Sequence, residues 1–130
     1  MIIKVNKLLL SLALMLSASA WAEWEPVVPT ADGSSMWYLD FDTVKTDSKY
    51  VYAWTLTDYK EDKESVKAYI QLDCGIPSKY KFLSITYYEG NMGYGKIHAG
   101  DDTDWRYPQP KSVLESFTSY LCLWSKVQYK

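Results

Sequence analysis

Two neighbouring runs alternate with period two, and this alternation restricts the fold more than any other feature of the chain. In "KYVYAWTLTDY" (Lys49–Tyr59), Tyr50, Tyr52, Trp54 and Leu56 are large and apolar, while Val51, Ala53, Thr55 and Thr57 are smaller or polar. Successive side chains of a strand point to opposite faces, so this run predicts a strand with one buried face, made by the large set. After the charged stretch "KEDKE" (Lys60–Glu64), "SVKAYIQLDC" repeats the pattern: Val66, Ala68, Ile70, Leu72 and Cys74 share a face, and Ser65, Lys67, Gln71 and Asp73 take the other. The two runs read as an antiparallel hairpin, with Cys74 in phase with the core.

Further strands are expected on both sides. "WEPVV" and "SMWYLD" flank the turn signal "ADGS", and "YKFLSITYYE" follows the turn "GIPSK". In that last run either Leu83, Ile85 and Tyr87 or Phe82, Ser84 and Thr86 can face inward. Beyond Pro108 and Pro110 the period changes. Ser112 and Glu115 form a capping box, and Val113, Leu114, Phe117, Tyr120, Leu121 and Trp124 recur at helical spacing. Cys122 lies about 140° from the centre of that stripe, so either the helix ends or bends near Leu121, which is the expectation, or a disulfide reaches the cysteine from the side. Several antiparallel strands followed by one amphipathic helix predict an α+β domain, with the helix packed on one sheet face.

The first residues are excluded from that domain. Lys4 and Lys7, the apolar run Leu8–Leu16 and the small-residue stretch "SASAWA" have the order of a secretory signal peptide, with cleavage expected after Ala22. The alternative, a buried N-terminal helix, does not explain that order. Nine apolar residues are too few to cross a bilayer, which takes about 20. No cysteine lies near the cleavage point, so a lipid anchor on an N-terminal cysteine is not expected, and the mature chain is expected to be periplasmic or secreted. Residues 23–130 then form a single domain with twelve basic and sixteen acidic side chains, a net charge of −4. That balance argues against nucleic acid, whose phosphates need a basic surface. Export also bears on Cys74 and Cys122. In an oxidising compartment one disulfide is the economical reading, against two free thiols.

The stretch "EGNMGYGKIHAGDDTDW" (Glu89–Trp105) holds most of the residue types that could carry chemistry. Its glycines are not followed by a helical run, so they read as turn glycines rather than a phosphate cradle. His98, Asp101, Asp102 and Asp104 lack the glycine and closing glutamate of a calcium loop and read as a solvated connection, with no sequence-evident partner for His98. His98 is the only histidine, no G-x-S-x-G occurs, and Asp40, Asp42, Asp58 and Asp73 are expected at strand ends. No catalytic set, cofactor or metal is therefore expected. The aromatic load remains: five Trp, twelve Tyr and three Phe after residue 22. Tyr69, Tyr87 or Tyr88, Tyr94, Trp105 and Tyr107 have no evident place inside. Exposed Tyr and Trp are frequent at recognition surfaces.

Several short matches occur in order: Trp24 and Pro26, "YLD" (Tyr38–Asp40), "VYAWTLTDY" (Val51–Tyr59), "LDC" (Leu72–Cys74), "NMGYG" (Asn91–Gly95), Trp105, and the Pro110–Ser112 lead into a helix holding Cys122. Together they resemble the surface-adhesin protein E-like domain of Gram-negative bacteria over nearly the whole mature chain. The resemblance implies an antiparallel sheet with a C-terminal helix bridged to it by Cys74 and Cys122. It also implies binding of host matrix or serum proteins such as laminin and vitronectin, which the name-giving adhesin binds. The function expected is a non-enzymatic binding module for a protein partner, with Tyr94, Trp105 and Tyr107 as candidate contacts. The alternatives are a periplasmic structural or accessory protein without a host ligand and, third, a small hydrolase.

Overall fold

The computed structural model describes residues 23–101 and 103–128; the expected signal segment 1–22 and Asp102 lie outside the described residues. Six strands form one antiparallel sheet in sequence order: β1 (Glu25–Pro29), β2 (Ser35–Thr46), β3 (Val51–Tyr59), β4 (Glu64–Asp73), β5 (Lys79–Tyr88) and β6 (Ile97–Gly100). Each strand pairs with the next, so every connection is a turn or short loop. One helix, α1 (Val113–Gln128), covers one face, which makes this the α+β domain expected. It is not long and apolar enough to cross a membrane.

Ser112 starts α1 as predicted: its Oγ accepts from the Glu115 N–H at 3.1 Å. The Glu115 carboxylate reaches back to the Lys111 N–H at 3.2 Å, one residue further than in the standard box, because the Ser112 N–H is held by the Gln109 carbonyl. The helix does not stop at Leu121. It runs through Cys122 to Gln128, contrary to the expectation from the apolar stripe. The buried arc includes two polar residues, Thr118 and Ser125, whose hydroxyls donate to the Glu115 and Cys122 carbonyls inside the helix. A hydroxyl satisfied by its own helix is buried at little cost. Centring the arc on Leu114, Phe117, Thr118, Leu121 and Ser125 brings Cys122 to about 85° from it. The disulfide to Cys74 is made from that flank, with the Cα atoms 5.9 Å apart. It joins the end of β4 to the middle of α1.

The core lies between helix and sheet: Phe117 and Leu121 of α1 meet Leu39, Val44, Val51, Ala53, Ile70, Leu72 and Tyr80. Val66, Ala68, Ile70 and Leu72 share that inner face, as β4's alternation predicts, because they stand opposite Thr57, Thr55, Ala53 and Val51 of β3. The same pairing reverses the reading of β3. Its small residues face the helix, and Tyr52, Trp54 and Leu56 point the other way. Small side chains let α1 approach the sheet closely, and Trp37 and Phe117, whose rings lie 5.3 Å apart, pack in the layer between helix and sheet.

Strand β5 follows neither predicted phase throughout. Phe82 opposes Ile70 but Ser84 opposes Tyr69, so Leu83 is an extra residue in a bulge. Tyr80 and Phe82 before it, and Ile85 and Tyr87 after it, therefore share the inner face. The stretch beyond β5 is also more ordered than a connection. Residues 97–100 pair with 85–88, and further along Thr103 and Arg106 exchange hydrogen bonds with Phe82 and Tyr80. The segment that reads as a glycine-rich turn and acidic link is the last edge of the sheet.

Candidate functional site

The outer face of the sheet, away from α1, is built by the large set of β3 and the residues opposite it. Direct pairing sets Trp54 against Tyr69, and their rings stack at 5.1 Å with 16° between planes. Tyr69 reaches diagonally to Tyr52 (6.1 Å), Tyr52 meets Tyr50 edge-on (6.5 Å), and Tyr50 packs on Trp105 (5.3 Å). Five rings thus run in one unbroken row across the face. Mutual packing shields each ring from water without a covering layer, which is how a strand can carry three large aromatics on a helix-free side.

Lysines interleave with the rings. Lys79 and Lys81 place their ammonium groups 5.1 and 4.8 Å from the Trp105 ring centre, and Lys49 lies 5.2 Å from that of Tyr50. Lys67 stands between Tyr88 (5.2 Å) and Trp24 (5.7 Å). These distances allow cation–π attraction, so the face presents charge and aromatic area together. At its lower end the Gln71 amide donates to the Tyr52 hydroxyl (3.1 Å), which donates to Asp47 (3.3 Å). The Tyr50 and Lys49 N–H groups also donate to Asp47, at 2.7 and 2.8 Å, and hold its carboxyl below the usual carboxylate range. Desolvation raises the Tyr52 phenol above its ordinary value, and the nearby Asp47 charge adds to this.

Trp105 and Tyr94 occupy different regions of this surface. Trp105 is positioned by the bonds of Thr103 and Arg106 to the start of β5, and is half-buried under its lysine neighbours. Tyr107, two residues on, is 61% exposed. Tyr94 is 65% exposed and closes the short 3₁₀ turn Asn91–Gly93 beyond the other end of β5. Nine residues of strand separate the two ends, about 30 Å. Trp105 with Tyr107 and Tyr94 are therefore two separate candidate contacts rather than one patch. Tyr69 is among the aromatics without an expected interior place, whereas Tyr52 and Trp54 read as core because period two cannot say which of two faces a helix covers.

The glycine-rich turn is locked to the sheet. The Asp58 carboxylate accepts from the Asn91 amide and the Met92 N–H, both at 2.9 Å, and the Ser65 hydroxyl donates to the Gly90 carbonyl while accepting from the Gly93 N–H. Leu56 is fully buried beneath this turn. Gly90 is required there, since a Cβ would stand 2.6 Å from the Tyr94 carbonyl oxygen. Its backbone groups serve the fold rather than a phosphate. His98 does have a partner: its Nε2 lies 2.9 Å from Glu89 Oε1 across the β5–β6 hairpin, with both side chains exposed. Among the described residues no three His, Cys, Asp or Glu are arranged to hold a metal ion. Asp58 and Asp73 do sit near strand ends, and the Asp73 carboxylate accepts from the Gly75 N–H in the turn. Asp40 and Asp42 instead lie within β2, at an irregularity where pairing with β3 is interrupted.

In comparison with known families, the chain matches the family described as surface-adhesin protein E over residues 24–123. The matched span contains all six strands, the outer aromatic row, both cysteines and most of α1. No curated protein matches the chain.

Proposed function

Because the chain belongs to the surface-adhesin protein E family, we propose that it is an exported, non-enzymatic module that binds a protein partner through the outer aromatic face of its sheet. The observation that carries this reading is the row Trp54–Tyr69–Tyr52–Tyr50–Trp105, which ends beneath Lys79 and Lys81 on a face that α1 leaves uncovered. Rings already packed together lose little side-chain freedom on binding, so a partner meets a preorganised surface. Trp and Tyr are also the residues that most often dominate interface energetics. Host matrix and serum proteins are the partners to try first, in keeping with the family.

The test uses the purified exported protein against immobilised laminin and vitronectin. Trp105→Ala is expected to weaken capture about tenfold or more, the loss typical of a central aromatic contact. Tyr94→Ala reports separately on the other end of the face and is expected to leave the melting temperature unchanged. Normal binding by both variants would show that this surface is not the contact. Cell fractionation supplies the second check, because a protein confined to the periplasm cannot meet a host protein.

A further inference from the structure

A cleft of about 320 Å³ opens on the outer face where β2 breaks its pairing with β3, lined by Trp24, Asp40, Thr43, Trp54 and Lys67. The break is a built feature. The Thr43 hydroxyl donates to the Asp40 carbonyl at 2.7 Å and accepts from the Trp54 N–H at 3.0 Å, replacing the ladder bond that the irregularity removes. That arrangement fixes the Trp54 indole as one wall, backed on Tyr69. Trp24, on the segment leading into β1, supplies the other.

Asp40 is the unusual member. It is only 6% exposed, and its carboxylate makes one hydrogen bond among the described residues, from the Asp42 N–H to Oδ1 at 3.2 Å. Among the described residues no lysine or arginine lies within ion-pair distance of it. A nearly buried carboxylate ordinarily has a cationic or multiple hydrogen-bonding partner. Here burial raises its pKa instead, the cost of holding a charge there without a counter-ion. The lysine in the same cleft is not that counter-ion, since its ammonium is placed over the Trp24 and Tyr88 rings.

We propose that this cleft receives the guanidinium of an arginine presented by the protein partner, stacked on the indoles of Trp24 and Trp54 and paired with the carboxylate of Asp40. A guanidinium meets both demands of the site: it is planar and weakly hydrated, so it stacks on indoles, and its forked N–H groups match a carboxylate. The position of Lys67 already shows that the Trp24 face accommodates a cation. The net charge of −4 on residues 23–130 also favours the approach of a cationic surface. The proposal rests on the protein-binding reading above and specifies what the partner must offer.

The test needs no identified partner. The exported protein is titrated with N-acetyl-arginine amide, and with the isosteric neutral N-acetyl-citrulline amide, while the indole Nε1–H resonances of Trp24 and Trp54 are followed by NMR. The arginine probe is expected to shift both resonances and the citrulline probe neither. Asp40→Asn, which keeps shape and removes charge, is expected to weaken arginine binding about tenfold or more. Lys67→Met removes a like charge and is expected to strengthen it. Methyl glucoside is the control for a sugar, which would stack on the same indoles. Equal binding of citrulline, an unchanged Asp40→Asn variant, or weaker binding in Lys67→Met with shifts caused by the glucoside would each overturn the proposal. Unshifted indoles in a protein that still captures its partner would refute this site alone. An intact arginine titration without capture of laminin or vitronectin would count only against the broader reading.

Discussion

Removing the Cys74–Cys122 bond by the double change Cys74→Ala and Cys122→Ala isolates what holds α1 to the sheet. The bond closes a loop with a sequence separation of 48. In the chain-entropy description, closing such a loop in the unfolded chain stabilises the native state by about 4 kcal/mol. At this domain size each kcal/mol moves the melting temperature by roughly 4–5 °C, so the double variant is expected to melt about 15–20 °C lower. The native contacts of α1 do not depend on the bridge, because Phe117 and Leu121 remain in the core and the Ser112 cap is intact. The variant should therefore be folded at room temperature, with unchanged far-ultraviolet circular dichroism and an unchanged near-ultraviolet signal from the outer rings. Scanning calorimetry of both proteins in one buffer gives the difference. A loss of less than about 5 °C would refute the argument that loop closure is the source of stabilisation. Intact mass after alkylation is the parallel check: two alkylated thiols in the native exported protein would refute the bond itself.

Two further predictions concern carboxylates that organise turns. Asp58→Ala strips the Asn91 amide and the Met92 N–H of their shared acceptor and is expected to cost about 1–3 kcal/mol; hydrogen exchange should then speed up in residues 90–95, and unchanged protection there would show that the turn is held otherwise. Asp32 in the β1–β2 turn accepts from the Ser34 N–H, the Ser34 hydroxyl and the Thr30 hydroxyl, which together lower its pKa from 3.8 to about 2. A carboxyl with a depressed folded pKa contributes stability above its unfolded value and loses it as pH falls through the folded one. Asp32→Ala is therefore expected to flatten the stability profile between about pH 4 and pH 2; a profile parallel to that of the parent protein would show that these bonds are not made in solution.

Much of the architecture is legible in local sequence because each such element is fixed by its neighbours along the chain. The β3–β4 hairpin follows from two period-two runs around a charged turn. The start of α1 follows from Ser112 and Glu115, and the disulfide from two cysteines in a chain with a secretory pattern. In β4 the apolar set really is the inner one, because its other face carries Lys67, Gln71 and Asp73. The candidate surface is less legible. Tyr69, Trp105 and Tyr107 stand out as aromatics without an interior place, but Tyr50, Tyr52 and Trp54 look like core until the partner face is known.

By itself, then, the sequence determined where strands turn and where the helix begins, since hydrogen-bonding turns, caps and alternation act over a few residues. Tertiary structure decided which face each element presents. A period-two pattern names two faces without ranking them, and α1 took the side of Ala53 and Thr55 because only small residues allow close approach. One extra residue, Leu83, reversed the phase of β5, and an alternation rule has no term for it. Thr118 and Ser125 turned α1 towards Cys122 because hydroxyls bonded within a helix can lie in a core. The edge beside β5 formed from a run of glycine, histidine and aspartate, since backbone pairing with a neighbouring strand asks little of side chains. Those four decisions place the aromatic row, the lysines and the carboxylate of Asp40 together on the open face.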